Sequence, residues 1–149
     1  MYFDSPFYTF LFTPLHSHLP FSPLNFYTLI NYLLVAIGGA AGAVSRFGLS
    51  QAIGKNGSFP LATFLVNIGG GLLIGLLFGL QQHGRLPERY WPLLAAGLCG
   101  GFTTFSAFSL ENLLLLQQHK WLLFALYVTG SVVGCLLAVY LGYYLGKKF

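Results

Sequence analysis

Residues 100–111 read GGFTTFSAFSLE, and this stretch decides the fold. It places two glycines, four hydroxyl side chains and a carboxylate inside a segment that is otherwise apolar enough to cross a membrane. Because main-chain groups in hydrocarbon must be hydrogen-bonded, a broken spanning helix is tolerated only where it faces protein or a polar cavity. Polar groups at that depth mark functional sites. The stretch therefore predicts a membrane helix that is interrupted where something polar is handled.

The composition of the chain favours lipid over water. Of its 149 residues, 56% are hydrophobic and 7% are charged, whereas a typical soluble domain has about 25% charged residues. The net charge of +4 comes from few groups. Because no Lys/Arg cluster is interleaved with polar residues, we expect no nucleic-acid partner. No Gly-rich phosphate loop ending in Gly-Lys-Ser/Thr is present, so we expect no nucleotide partner either.

Four apolar segments are long enough to cross the bilayer, which takes about 20 helical residues. They cover residues 27–52, 59–81, 91–117 and 121–145. Their connections are short, so neighbouring helices should run antiparallel. We predict an all-α membrane protein with four transmembrane helices, the third of them broken near its middle. Cys99 and Cys135 lie in apolar runs and are expected to be buried thiols rather than a disulfide or a metal site.

The first 26 residues do not fit this pattern, since they contain four prolines and no Lys or Arg. A secretory signal needs a basic start and an unbroken apolar run. We expect residues 1–26 to be a disordered or interface-lying extension, and residues 27–149 to form the membrane domain. Met1 is the only methionine, so a start at a non-ATG codon near Leu29 or Leu33 is an alternative.

Basic residues are almost evenly divided between the two sides of the predicted bundle. One side holds Arg85, Arg89, Lys147 and Lys148, and the other holds Lys55, Lys120 and Arg46. Because the Lys/Arg bias of short loops sets orientation, the balance suggests insertion both ways round, as an antiparallel homodimer. Small residues recur every four positions, and such rows allow close helix packing within a bundle or across a dimer. They are Gly71, Gly75 and Gly79, and Gly130, Gly134, Ala138, Gly142 and Gly146.

The glycine pair of the third span lies about nine residues, or about 14 Å, beyond Trp91 and hence near the bilayer midplane. Two glycines followed by two β-branched threonines make a poor helix centre. Carbonyls freed by an unwound turn could bind a cation, as in the broken helices of transporters. A simple kink relieved by the threonine hydroxyls is the alternative.

Several side chains near this break could carry chemistry. Phe105 and Phe108 share a helix face, and their partly positive ring edges could line an anion path, although core packing is the alternative. Asn67, in the second span, offers two N–H donors and an acceptor, either as a link between helices or as an anion contact. Arg46 lies deep enough to need a partner or a snorkelling route to the interface. Glu111 is expected to pair with a cation or to accept from a loop backbone.

From about residue 33 to about residue 145, the chain resembles the Fluc/CrcB fluoride channels, which are small dual-topology membrane proteins. The resemblance is carried by residues 38–47 (GGAAGAVSRF), 61–67 (LATFLVN) and, above all, 100–111. It implies an antiparallel homodimer with two fluoride pores and a central structural sodium ion held by main-chain carbonyls. It also implies passive export of fluoride from the cytoplasm across the inner membrane of a prokaryote, as protection against fluoride toxicity.

Matched residue by residue, the resemblance assigns a role to each candidate. The sodium carbonyls fall at Gly100 and Thr103. Arg46 and Glu111 match residues of anion entry or of structure. The fluoride path would be lined by Asn67, Phe105, Ser106, Phe108, Ser109, Tyr127 and Ser131. The polar stripe of the fourth helix departs from the family pattern, because Cys135 and Val139 stand where further hydroxyls are expected.

Three other functions compete with a channel. A proton-coupled exporter of organic cations needs a carboxylate in its substrate cavity, usually in the first span, and Glu111 near the end of the third span is the only candidate. A non-transporting assembly subunit would explain the small-residue rows but not Phe105, Phe108 and Asn67 together. An enzyme is disfavoured, because no Ser/His/Asp set or metal-ligand cluster lies in the spans.

Overall fold

The computed structural model describes residues 26–54 and 58–148. Its helices are α1 (Phe26–Ile53), α2 (Leu61–Gln82), a 3-10 turn (Glu88–Tyr90), a π-helix (Pro92–Cys99), α3 (Gly100–Phe102), α4 (Phe105–Gln117) and α5 (Trp121–Lys148). Four helical segments are long and apolar enough to cross a membrane, and the third runs from Glu88 to Gln117. The predicted all-helical fold with four spans is confirmed, and the protein is a multi-pass membrane protein. The predicted extension, apart from Phe26, lies outside the described residues.

The third span is interrupted at its threonines and not at its glycines. Gly100 has helical angles (φ −63°, ψ −38°) and begins α3. The main chain is extended at Thr103 (φ −78°, ψ 157°) and at Thr104 (φ −149°, ψ 116°). β-Branched side chains disfavour the helix, and the Thr104 hydroxyl accepts from the Ala107 N–H at 3.2 Å, which starts α4.

The half of the third span before the break is wound more widely than an α-helix. The N–H of Gly100 donates to the carbonyl of Ala95, five residues earlier. Such π-turns are rare and occur mostly at functional sites. The sequence analysis predicted no change of helix type here.

Glycines bring the helices together in two pairs. A Cβ at Gly75 of α2 would collide with the Val139 carbonyl of α5. A Cβ at Gly146 of α5 would lie 2.9 Å from the main-chain nitrogen of Leu80 of α2. On α1, Gly38 lies against Gly97 of the π-helix, where a Cβ on Gly97 would be 2.9 Å from the Gly38 Cα. The small-residue rows of α2 and α5 therefore pack within one chain. This contact holds together the helices that carry Asn67, Tyr127 and Ser131.

Candidate functional site

Asn67 of α2 pairs with the unwound main chain. Its Oδ1 accepts from the Thr104 N–H at 2.9 Å, and its Nδ2 donates to the Thr104 carbonyl at 3.1 Å. The amide thus satisfies both main-chain groups of a residue that a continuous helix would have satisfied itself. Asn67 is a link between the spans, as one of its two predicted roles required.

The four carbonyls from Gly100 to Thr103 lose the donors that a continuous helix would give them, and the one of Gly101 accepts from Arg46 instead. In an α-helix each N–H donates to the carbonyl four residues earlier, so Thr104 would serve Gly100 and Ala107 would serve Thr103. Instead, the Thr104 N–H donates to Asn67 and the Ala107 N–H donates to the Thr104 hydroxyl. The carbonyls of Gly100 and Thr103 are the pair that the family resemblance matches to sodium.

Aromatic rings lie directly beyond the break. The ring centroids of Phe105 and Phe108 are 5.6 Å apart at an interplanar angle of 39°. The Phe108 ring lies 5.1 Å from that of Tyr127 on α5. Phe105 is 78% exposed in the single chain, whereas Tyr127 is fully buried. Phe105 therefore projects outward while Phe108 packs inward, as tilted pairs of this kind allow.

Glu111 joins three helices through its carboxylate. Thr63 of α2 donates its hydroxyl to Oε1 at 2.7 Å, and Tyr127 of α5 donates its hydroxyl to Oε2 at 2.7 Å. The expectation that Glu111 pairs with a cation or with a loop backbone is wrong, because both of its oxygens accept from side-chain hydroxyls of neighbouring helices. The Tyr127 hydroxyl, expected on an open polar stripe, is bound to this carboxylate.

Arg46 has a hydrogen-bond partner inside the helix bundle. Its Nε donates to the carbonyl of Gly101 at 3.2 Å, which joins α1 to α3. This bond places a positive charge one residue from Gly100, close to the break. We expected Arg46 either to have a partner or to reach the membrane interface by snorkelling. Within the described residues it has a partner, the Gly101 carbonyl.

A cavity of about 560 Å³ gathers several of the candidates. Asn67, Phe105, Phe108 and Ser131 line it, together with Gly100 and Thr103. The Ser131 hydroxyl is buried and, among the described residues, has no hydrogen-bond partner. A buried hydroxyl without a partner is costly, so Ser131 presents an unused donor and acceptor beside this cavity.

The two serines of α4 lie outside that cavity lining. Ser109 donates to the carbonyl of Phe105 at 2.9 Å, and the Ser106 and Thr104 hydroxyl oxygens lie 3.1 Å apart. Both serines are exposed in the single chain. The structure therefore brings them next to the break but on its outer surface.

Thr63 had no role in the sequence-based predictions, and the Thr104 hydroxyl was considered only as relief for a kink. Thr63 lies one turn before Asn67, so both face the third span. That i, i+4 spacing of two polar side chains in an apolar helix was a signal that could have found Thr63. No local pattern distinguishes Thr104 from Thr103. Their roles differ only because the next helix begins directly after Thr104, which makes Thr104 its N-cap.

Comparison with known proteins gives one consistent result. Residues 33–143 match the sequence model of a protein family that is described as "CrcB-like protein, Camphor Resistance (CrcB)". A fluoride-specific ion channel of Paramagnetospirillum magneticum is 45% identical over 120 residues, which cover 77% of this chain and 94% of that protein. One from Magnetococcus marinus is 47% identical over 118 residues, covering 76% of this chain and 94% of that protein.

A third relative, from Shewanella oneidensis, is 45% identical over 116 residues, covering 75% of this chain and 92% of that protein, and is likewise named a fluoride-specific ion channel. These names describe transport and not a reaction, in agreement with the expectation that the chain is not an enzyme. Since the family match reaches from the first membrane segment into the fourth and includes the unwound residues of the third, this chain belongs to the CrcB family.

Proposed function

We propose that this protein is a fluoride-selective channel that lets fluoride leave the cytoplasm passively, down its electrochemical gradient, and so limits fluoride toxicity. The observation that carries the proposal is the cavity at the break, where the Phe105–Phe108 pair, the Asn67 amide and the unpartnered Ser131 hydroxyl meet. The names of the relatives agree with it.

The chemistry of the cavity suits a small anion. Fluoride is strongly hydrated, so a path through the membrane must replace its water with hydrogen-bond donors and positive ring edges. Asn67 Nδ2 carries two hydrogens, and one of them serves the Thr104 carbonyl. The other hydrogen and the Ser131 O–H are donors that an anion can take up. Arg46, bound to the Gly101 carbonyl, adds positive potential near the break.

The carbonyls of Gly100 and Thr103 fit a sodium ion as ligands. Both have lost their helical donors, and unwound carbonyls at mid-membrane bind Na⁺ in broken helices. When bound there, the ion supplies structural cross-linking and a fixed positive charge. Thr104 and Asn67 hold the extended main chain that presents these oxygens.

The site is completed by a second copy of the chain in an antiparallel homodimer, with two pores. Gly100, Phe105, Ser106 and Ser109 are all exposed in the single chain, at a depth where polar groups do not face lipid. A partner copy would cover them. The even division of Lys and Arg agrees with insertion of the chain in both orientations, into the inner membrane of a prokaryote.

The rival function of proton-coupled cation export has less support. It needs a carboxylate free to exchange a proton for substrate, and both oxygens of Glu111 accept hydrogen bonds from Thr63 and Tyr127. The cavity at the break presents donors and rings, which suit an anion better than a cation.

Fluoride efflux from liposomes containing the purified protein tests the proposal. We expect rapid fluoride efflux and no detectable chloride efflux. Phe108→Ile should slow fluoride efflux by about tenfold or more, since a loss of about 1.4 kcal/mol corresponds to a factor of ten. Phe47→Ile, at an exposed position of α1, is the matched control and should conduct normally. Absent efflux, or equal rates for fluoride and chloride, would contradict the proposed function.

A further inference from the structure

Four cationic side chains share one end of the bundle. Arg85 and Arg89 lie in the connection between α2 and the π-helix, and Lys147 and Lys148 end α5. Arg85 Nη1 donates to the carbonyl of Lys147 at 3.2 Å and to that of Gly146 at 3.4 Å. This contact brings the two segments together and places the four charges, called the basic cluster below, at the same end of the bundle although they are far apart in sequence.

The basic cluster has no balancing carboxylate within residues 26–54 and 58–148. Glu88 is the one acidic residue of the connection, and none of the four cations pairs with it. Arg85 is directed at carbonyls that carry the negative end of the α5 dipole. Among the described residues, the charges of Arg89, Lys147 and Lys148 have no carboxylate partner, and several like charges at one end of the bundle attract an anion.

Two of these cations are held against aromatic rings. The guanidinium carbon of Arg89 lies 4.9 Å from the Tyr90 ring centroid, and Nη2 donates to the Tyr90 hydroxyl at 3.1 Å. Lys148 Nζ lies 4.8 Å from the Tyr144 ring centroid. Tyrosines at the ends of membrane helices lie at the level of the lipid headgroups. The rings therefore hold the charged groups at the depth of lipid phosphates.

We propose that the basic cluster binds the headgroup phosphate of an anionic phospholipid. Arg89, Lys147 and Lys148 supply the charge, and Arg85 holds the two segments in place. The opposite end of the bundle is a poorer site within the described residues, because Lys120 is the one Lys or Arg of its connections there. The inference needs only that the chain spans a membrane, so it stands apart from the proposed transport of fluoride.

Native mass spectrometry of the full chain tests this site with phosphatidylglycerol and phosphatidylcholine of identical acyl chains. A basic residue near the membrane surface increases anionic-lipid affinity by about fivefold. The parent protein should therefore bind phosphatidylglycerol more tightly than phosphatidylcholine. The triple variant Arg89→Gln/Lys147→Gln/Lys148→Gln should lose about tenfold or more of its phosphatidylglycerol affinity and keep its phosphatidylcholine affinity.

Two controls keep the test decisive. Lys120→Gln removes one lysine from the other end and should bind like the parent, whereas Lys148→Gln alone should show a partial loss even if the triple variant does not fold. Equal affinities of the parent for the two lipids would overturn the proposal, as would a Lys148→Gln variant with the parent's preference. Competition by inorganic phosphate at about millimolar concentration would also overturn it, since the site would then select a free anion and not a lipid.

Discussion

Asn67 has the first of the two roles that its sequence context allowed, a link between helices, and keeps a hydrogen-bonding group available for the second. Its amide bonds to both main-chain groups of Thr104, at 2.9 and 3.1 Å, as a neighbouring strand would. The second Nδ2 hydrogen is not used by Thr104, and Asn67 lines the cavity at the break. The link between helices therefore positions the donor. The structural link is compatible with the proposed anion contact, because an amide has more hydrogen-bonding groups than either role requires.

Replacement of Asn67 by alanine should damage both stability and transport. Asn67→Ala leaves the N–H of Thr104 without its acceptor, at about 1–3 kcal/mol for a buried group, and removes one of the donors to the Thr104 carbonyl. We expect a lower melting temperature in detergent and a loss of fluoride efflux of about tenfold or more. Thr129→Ala is the control, because its hydroxyl bonds only within α5, to the carbonyls of Ala125 and Leu126. An Asn67→Ala protein with the parent's melting temperature and efflux would refute the role given to this side chain.

At the scale of elements, the third span is built from three pieces with different functions. The π-helix and α3 pack against α1 through glycines, α4 carries the rings and Glu111, and the extended threonines separate them. The extended segment frees the carbonyls of Gly100 and Thr103 without leaving its own N–H groups unpaired. Such a segment can exist at mid-membrane because α2 satisfies it from the side.

Removal of sodium should reveal whether these carbonyls bind it. A ligand that binds only the folded protein raises stability with its concentration. We therefore expect the melting temperature of the purified protein to fall when Na⁺ is replaced by choline at equal ionic strength, and to recover when Na⁺ is returned. A melting temperature that does not respond to Na⁺ would count against a sodium site at the break.

The contact between α2 and α5 gives a second prediction at this scale. Gly75→Ala places a methyl group against the Val139 carbonyl and should destabilise the protein by about 1–3 kcal/mol, as overpacking does. Gly48→Ala is the matched control, since a Cβ there meets nothing within 4 Å and alanine favours the helix by about 1 kcal/mol. Thermal unfolding in detergent measures both variants. Equal effects of the two substitutions would show that close helix approach does not decide the difference.

At the scale of the whole molecule, the single chain leaves its most distinctive surface uncovered. Phe105 projects with 78% of its side chain exposed, next to the exposed serines of α4. At the same time Lys and Arg give little preference for either orientation. The proposed antiparallel partner would account for both facts, since it would cover this surface and would require chains of both orientations.

Dual orientation can be measured by labelling. A cysteine added after Phe149, in a Cys99→Ala/Cys135→Ala background, should react with a membrane-impermeant maleimide in about half of the chains of sealed vesicles, because the charge bias is nearly zero. The remaining chains should react after the vesicles are opened. Labelling of all chains, or of none, before opening would contradict an antiparallel dimer.

The fold could be predicted largely from local properties of the sequence. Four apolar segments with polar ends predict four membrane helices, because hydrocarbon admits few other structures for a chain of this composition. The interruption of the third span followed from the glycines and threonines at 100–104. Helix propensity does not show which of these residues interrupt the helix, because it disfavours glycine and β-branched residues alike. Packing decided it: Gly101 is held helical against Gly39 of α1, and Thr104 is extended by Asn67.

The candidate site divides in the same way. The residues that carry hydrogen-bonding groups and rings could be selected from the sequence, since polar side chains in an apolar span are few. The partners of Glu111 could not, because Thr63 and Tyr127 lie 48 and 16 residues away from it along the chain. The sequence by itself determined the membrane environment, the number of spans and which groups are candidates to contact a polar ligand. Only the tertiary structure decided which of those groups satisfy one another and which remain for a ligand, because hydrogen-bond pairing depends on distances between helices that no local pattern encodes.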